Sequence, residues 1–392
     1  MGDLMPAIAP WASWTTRFGL GEIIRICWTL RLERRPKIRS DNPPTNNGLF
    51  YLGEAGMPWS KVATFTDPFP FQATLQSTSQ AEVLPTTGGS FRVEATQIGM
   101  NKLRMQRFEV ALPQIYTLMI APDRKSIGFL IEGNSSKLQH CGLEVTPNDI
   151  VVYGYDVLHQ RSAPNFRFGT MSLPKADFPV LCKTLIGREF LEKPRTSKLR
   201  ADPALMTRLL TLHKIVGQLA YDTPDLLERP EVRRSLEERL IHVMVRCLAE
   251  GVGVQTASGA HRHDAVIARF EEFLESNRDR PLYLTEICTA IGVAERTLRA
   301  CCEEHLGMGP IRFLTLRRMR LVRRALLGAE RSKSTVTSIL TDHGFCEFGR
   351  FSVAYRMLFG EAPSETLRRP AEHAVVDLHR PLSLSAIGFP GR

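Results

Sequence analysis

The pattern of apolar and polar residues changes character along this chain of 392 residues. Up to about residue 179, short β-branched and aromatic runs recur between Gly, Pro, Asn and Asp clusters, a pattern typical of a β-sandwich or barrel. From about residue 194, apolar residues recur at the helical period, which predicts α-helices. We therefore expect a multidomain α+β protein with its β-rich domain first. The predicted strands are 62–66, 91–98, 106–112, 116–120, 126–132, 150–155 and 166–173.

The first helical stretch carries two apolar stripes on either side of a break at Asp222-Thr-Pro224. They predict a helical hairpin within residues 195–252. The hairpin could form a homodimer or pack on the β-rich domain, and we expect the homodimer. The stripes are Leu205, Leu209, Leu212, Val216 and Leu219, then Leu236, Leu240, Val243, Met244 and Cys247.

An internal repeat occupies the last hundred or so residues. A short apolar-faced helix from Leu284 ends at Gly292 and is followed by a second helix, and the same order returns around Gly344. A helix, a tight glycine turn and another helix form a helix-turn-helix motif. We predict two such motifs, at 284–305 and 336–359, with a single long helix between them. At an offset of 53 residues, Leu298 matches Phe351, Gly307 matches Gly360 and Pro310 matches Pro363.

These motifs resemble a known family. Residues 345–364, FCEFGRFSVAYRMLFGEAPS, resemble the second-helix signature of AraC/XylS-type transcription regulators, and residues 291–299, IGVAERTLR, resemble the first. The resemblance covers 264–368 and implies that the second helices of the two units enter successive major-groove segments on one face of the DNA. Residues 143–159 resemble the strand–turn–strand of cupin-like sensor domains in the same family, which implies a sensor domain over 46–182.

The formal charge of +10 is concentrated in two segments. Residues 310–333, between the two motifs, contain eight basic residues and one acidic residue, and residues 1–40 carry a net charge of +4. The rest of the chain is nearly neutral, so the position of the charge points to DNA as the anionic partner. Residues 1–45 could be a flexible arm that adds non-specific DNA affinity or a solvated basic extension, and we expect the extension. We expect residues 370–392 to be a loosely ordered tail.

The second helix of a helix-turn-helix motif lies in the major groove, where residues near its start meet base edges. Arg is the strongest guanine reader because its fork binds O6 and N7 together, whereas Phe348 could equally pack or touch a thymine methyl. The predicted base contacts are Glu295, Arg296, Arg299 and Ala300 in the first unit and Phe348, Gly349 and Ser352 in the second. The predicted phosphate contacts are Arg317, Arg320 and Arg324 on the linker helix and Arg350 and Arg356 beyond it.

The sequence contains little that indicates catalysis. A cupin metal centre needs several converging His and a carboxylate, and the β-rich domain contributes His140 and His159 without a His-x-His motif. The eight cysteines form no CxxC pair, so we expect reduced thiols in the cytoplasm, and no metal or cofactor. No apolar run reaches the roughly 18–20 residues of a membrane span.

We therefore expect a sequence-specific transcription regulator that binds double-stranded DNA, and not an enzyme. By family resemblance it would sense a small molecule, contact RNA polymerase and activate rather than repress. Two alternatives stay open. Stoichiometric Fe, Mn or Zn would indicate a cupin-type metalloenzyme with an appended regulatory domain, and a footprint without a preferred site would indicate a non-specific DNA binder.

Overall fold

The structure is a computed structural model that describes residues 58–369, apart from 77–78, 121–122, 132–137, 155–157, 188–195, 255–257, 278–279, 281 and 331. The predicted basic extension and C-terminal tail, residues 1–45 and 370–392, lie outside the described residues. None of the helices in these described ranges combines the length and the apolar character needed to cross a membrane.

The β-rich part of the described chain begins at residue 59. All seven predicted strands are present with ends shifted by a few residues, together with others that the sequence did not reveal. The strands are β1 Trp59–Phe65, β2 Ser79–Pro85, β3 Val93–Gly99, β4 Arg104–Val110, β5 Gln114–Ile120, β6 Arg124–Leu130, β7 Leu138–His140, β8 Leu143–Val145, β9 Asp149–Val152, β10 Leu158–Ser162, β11 Phe166–Pro174, β12 Ser197–Arg200 and β13 Val252–Gly253.

The strands form two antiparallel sheets that face each other across one apolar core. In the described part of the chain, one sheet has the order β1-β3-β4-β11-β6-β9-β12-β13 and the other β2-β5-β10-β7-β8. Val83 and Leu118 of the second sheet share a core with Val93 and Phe168 of the first. Because side chains alternate between the faces of a strand, each strand of the second sheet also presents residues away from this core.

The helices of the described chain follow and surround the two sheets. The pattern of the sequence predicts the long helices and misses the short α1 and α2, which lie among strands. The helices are α1 Pro68–Gln76, α2 Asp177–Ile186, α3 Pro203–Asp222, α4 Pro224–Glu228, α5 Pro230–Glu250, α6 Ser258–Ser276, α7 Leu284–Ile291, α8 Glu295–Leu306, α9 Pro310–Gly328, α10 Val336–Asp342, α11 Phe348–Phe359 and α12 Pro363–Arg368.

The predicted hairpin consists of α3 and α5, and its apolar stripes are buried within the chain. The buried carboxylate of Glu237 on α5 accepts hydrogen bonds from the backbone N–H groups of Lys102 and Leu103, at 2.6 and 2.9 Å, just before β4. The hairpin thus packs on the β-rich domain, the alternative that we did not favour. Because its apolar stripes are buried within a single chain, a homodimer would have to form through another surface.

Candidate nucleic-acid interface

The first helix-turn-helix unit consists of α7 and α8, joined at Gly292. This glycine has φ 68° and ψ 40°, the left-handed conformation that glycine adopts without a steric penalty. Ile287 and Ile291 of α7 and Leu298 of α8 are buried in one core, and Leu284 packs against it. Leu84 and Ile115 of the β-rich domain enter the same core.

The second unit repeats this construction with α10, a turn at Gly344 and α11. Gly344 has φ 73°, and the Thr335 hydroxyl caps α10 by accepting the Ser338 N–H at 3.1 Å. Ile339 and Phe351 are buried, and Phe345 and Phe359 pack against the same core. The matched glycines of the repeat, Gly307 and Gly360, end α8 and α11 with φ of 70° and 75°. The repeat in the sequence is therefore a repeat in the structure.

The predicted base readers of the first unit lie together on the exposed side of α8. Glu295, Arg296, Arg299 and Ala300 are all exposed. The Arg299 guanidinium donates to Glu295 at 2.7 Å, one helical turn away, in an exposed ion pair. This pair orients Arg299 towards the start of the helix, where a major groove would be read.

The predicted readers of the second unit also lie at the surface, but with a different chemistry. Phe348 is 38% exposed and Gly349 has open space where a side chain would begin. The Ser352 hydroxyl donates to the Phe348 carbonyl at 2.8 Å, so its hydrogen is used within the helix. The predicted phosphate contacts Arg350 and Arg356 are exposed, and Arg350 pairs with Glu347 at 2.9 Å.

The linker helix α9 requires a correction to the prediction for its arginines. Arg320 is buried, forms an ion pair with Glu82 of β2 and donates to Gln72 of α1 at 2.8 Å. Arg317 is mostly enclosed in an ion pair with Glu275 at 3.1 Å, and Arg324 is half-buried. In this arrangement Arg320 cannot reach a phosphate. Part of the positive charge of α9 is neutralised by carboxylates of the same chain.

Arg323, next along α9, lies at the centre of a second buried ion-pair cluster. Its side chain is 4% exposed and pairs with Asp67, before α1, and with Glu361, before α12, the latter at 3.0 Å. The guanidinium also lies 4.9 Å from the ring centre of Phe359 and 5.6 Å from that of Phe69. This cluster joins the linker helix, the end of the second unit and the β-rich domain. No local pattern in the sequence indicates it, since Asp67 and Arg323 are 256 residues apart.

A polar row on the outer face of the second sheet contacts α6. Glu82, Thr117 and His159 are neighbours in register across β2, β5 and β10. The Glu271 carboxyl group of α6 lies 3.3 Å from the Thr117 hydroxyl and 3.2 Å from His159 Nδ1. Burial, followed by the nearby Glu82 carboxylate, raises the pKa of Glu271 to about 8. Burial, followed by the nearby His305, lowers the pKa of His159 to about 3.

These shifts predict a pH dependence of stability. Between pH 6.5 and 8, folded Glu271 keeps a proton that the unfolded chain has lost, so stability falls as pH rises. Buried His140, His159 and His213, with pKa values lowered to about 3, act with the opposite sign, and the end of their titration in the unfolded chain falls within this window. Urea denaturation of Glu271→Gln beside the wild type isolates the carboxyl group, and the stability of the wild type relative to this variant should fall by about 1–2 kcal/mol from pH 6.5 to 8. The exposed neighbour variant Glu272→Gln should show no such change relative to the wild type; a difference between the wild type and Glu271→Gln that does not vary with pH would contradict the assignment.

The two histidines considered for a metal centre do not converge. His140 lies 3.2 Å from Gln160 on the core side of β10, whereas His159, the adjacent residue on that strand, faces α6. Elsewhere, among the described residues, donor atoms of His263, Glu304 and His305 lie within 4.8 Å of one another. These residue types suit Zn²⁺, but the His263 ring contacts the Glu304 carboxyl group directly, which accounts for their closeness without a cation.

A cavity of about 90 Å³ lies between the two sheets, lined by apolar residues on one side and by polar ones on the other. Strand register places Arg104 beside Ser172 on β11 and Ser172 beside Ser126 on β6, at the polar end. Arg124 donates to the Ser172 hydroxyl at 3.0 Å, and burial, followed by the Arg104 charge, lowers its pKa to about 10. The alternation Arg104-x-Gln106-x-Phe108 is the sequence signal that could have predicted this lining. The apolar lining includes Phe71, Leu75, Phe108, Tyr116, Leu118, Ile120, Phe166 and Phe168.

Comparison with known proteins places the C-terminal part in a recognised family. A helix-turn-helix domain family model matches residues 287–369. The chain is 30% identical over 210 residues to the "Probable thc operon regulatory protein" of Rhodococcus erythropolis, covering 48% of this chain and 61% of that protein. It is 32% identical over 99 residues to the "XylDLEGF operon transcriptional activator 2" of Pseudomonas putida, covering 25% of this chain and 63% of that protein. The chain thus spans about three fifths of the length of these relatives.

A solved structure gives a further match. The structure is described as a "probable AraC family transcriptional regulator" from Rhodopseudomonas palustris CGA009, and it is 31% identical to this chain. The match covers 27% of this chain and 98% of that one, with a TM-score of 0.25.

Two helix-turn-helix units on one linker helix, following a β-rich domain with an internal cavity, define a tandem helix-turn-helix protein with a separate β-rich domain. The relatives named above are described as an operon regulatory protein and an operon transcriptional activator. Residues 287–369 therefore form a helix-turn-helix domain that is similar to those of such regulators.

Proposed function

We propose that this protein is a sequence-specific activator of transcription that responds to a small anionic effector. It binds promoter DNA through α8 and α11 and holds the effector in the cavity between the sheets. Activation implies contact with RNA polymerase, as the family resemblance suggests. The relatives named as operon activators support this direction of control.

One observation carries the proposal that an effector regulates DNA binding. The strands β5 and β10 line the cavity with one face and contact the DNA-binding domain with the other. On β5, Tyr116 and Leu118 line the cavity, whereas Ile115 packs in the core of the first helix-turn-helix unit and Thr117 contacts α6. On β10, Gln160 lines the cavity and its neighbour His159 contacts α6. A ligand that shifts these strands therefore moves both faces at once.

The lining of the cavity favours a particular class of effector. The positive charge of Arg104 disfavours the charged state of Arg124, and a bound carboxylate would offset that repulsion. The phenylalanine side chains at the other end would cover an aromatic or aliphatic body. The effector class that fits is a small organic acid with an apolar body.

Thermal unfolding with benzoate and hexanoate as probes tests this effector class. A ligand at 100 times its Kd stabilises the folded state by about 2.7 kcal/mol, so either acid should raise Tm, and the uncharged amides should do so much less. Arg104→Gln should remove the shift, and Arg92→Gln, at an exposed ion pair of the same domain, should keep it. Equal shifts with acids and amides would contradict an anionic effector.

The DNA-binding part of the proposal has its own test. Duplexes selected from a random pool by the full-length protein should converge on a preferred site. The affinity for that site should fall steeply with salt, because phosphate contacts release counterions. Selection that yields no preferred site would favour the non-specific DNA binder instead.

A further inference from the structure

The outer face of α11, the second helix of the second unit, is apolar. Phe351, Tyr355 and Leu358 point into the core. On the opposite face, Val353 is 62% exposed and Met357 is 71% exposed. These two residues are four apart and therefore adjacent on one side of the helix.

The start of this face is also open to close approach. Gly349 precedes Val353 by one turn and has nothing within 4 Å of the place where a side chain would begin. The last turn of α11 lies against the loop after β2, since a side chain on Gly88 would collide with the Met357 carbonyl. The Met357 side chain itself remains exposed beside that contact.

The equivalent helix of the first unit has a different surface. At the offset of 53 residues, Gly349 corresponds to Arg296 and Ser352 to Arg299. The first helix thus presents two guanidinium groups. At the same positions the second helix has no side chain at Gly349, and at Ser352 it has a hydroxyl that donates to the Phe348 carbonyl of the same helix at 2.8 Å. The two units therefore cannot read bases by the same chemistry.

The surroundings of the apolar face match DNA rather than a neutral protein surface. Arg350 and Arg356 are exposed on the same helix, and cations of this kind bind phosphates on either side of a groove. Aliphatic side chains make no hydrogen bonds to base edges. The apolar group that a major groove offers them is the C5-methyl of thymine.

We propose that the second unit recognises thymines through Val353 and Met357, whereas the first unit reads hydrogen-bonding edges through its arginines. This inference rests on the proposed function, because it assigns base contacts to a helix taken to lie in the major groove. It makes Val353 a specificity-determining residue for the A·T pairs of one half-site.

Deoxyuridine substitution tests this directly, because it removes the methyl group and leaves all hydrogen-bonding groups of thymine in place. Each T of the selected site is replaced in turn, and binding of the full-length protein is measured by fluorescence anisotropy at fixed salt. We expect a loss of about fourfold per contacted methyl at one or more positions of one half-site. Val353→Ala should remove this sensitivity at those positions, and Val180→Ala, at another exposed valine, should keep it.

Val353 is exposed, so truncating it to Ala removes little packing and leaves the helix propensity at least as high. Wild-type protein that binds its site equally well with and without the methyl groups would overturn the inference. So would a Val353→Ala, Met357→Ala variant that retains full DNA affinity and thymine sensitivity but fails to activate a reporter, because the face would then bind a protein. Failure to select any preferred site would instead overturn the proposed function, and this inference with it.

Discussion

Replacing Arg323 with alanine should lower the free energy of unfolding by about 3–5 kcal/mol, the usual result of removing one partner from a buried ion pair. The side chain of Arg323 is 4% exposed and lies between Asp67 and Glu361, which are 17% and 11% exposed. Without the guanidinium, two carboxylates remain close together and partly buried. Arg369 pairs with Glu361 at 2.6 Å and would neutralise part of this charge. The loss of stability should therefore stay within about 3–5 kcal/mol.

Urea denaturation of the full chain measures this loss, and an exposed pair supplies the control. Arg246 and Glu250 pair at 2.7 Å with side chains 36% and 43% exposed, so Arg246→Ala should cost no more than about 1 kcal/mol. A double-mutant cycle with Asp67→Ala should show strong coupling, since the second change removes one stranded charge. A loss below about 1 kcal/mol for Arg323→Ala would mean that the cluster does not hold the domains together.

This cluster also shows where a sequence stops being informative. The helix-turn-helix repeat was predictable because each of its determinants is local: an apolar face at helical spacing, a glycine such as Gly292 or Gly344 at the turn, and a matching glycine at the helix end. A basic run such as that of α9 is equally visible, but its partner is not. The carboxylate of Glu82 is 238 residues away from Arg320, and only the fold brings them together.

The strands also divide into those that local sequence patterns predict and those that they do not. Seven strands were recognisable from their composition and turns, yet β2 and β10 were not, although together with β5 they contact the helices of the C-terminal part. The segment Leu158–Ser162 carries polar residues on both faces, with His159 towards α6 and Gln160 in the cavity. Polar residues that pair across a domain interface do not produce the alternation of a half-buried strand.

The first unit carries the other large expected effect. Arg296→Ala and Arg299→Ala should each weaken binding to the preferred site by about tenfold to a hundredfold, the range for losing a bidentate contact to guanine. Binding to random DNA should change much less, because phosphate contacts carry most of that affinity. Arg299 must also leave its ion pair with Glu295 at 2.7 Å, which costs little because exposed pairs are weak.

Anisotropy titrations with the selected duplex and with a scrambled one separate base reading from phosphate contact. Arg269→Ala supplies the matched control, because Arg269 is an exposed arginine of α6, outside both helix-turn-helix units. Variants at Arg296 and Arg299 that weaken both duplexes equally would make these residues phosphate contacts. Loss confined to the selected duplex would place them on base edges, and the base pair whose identity ceases to matter would be the one that each arginine reads.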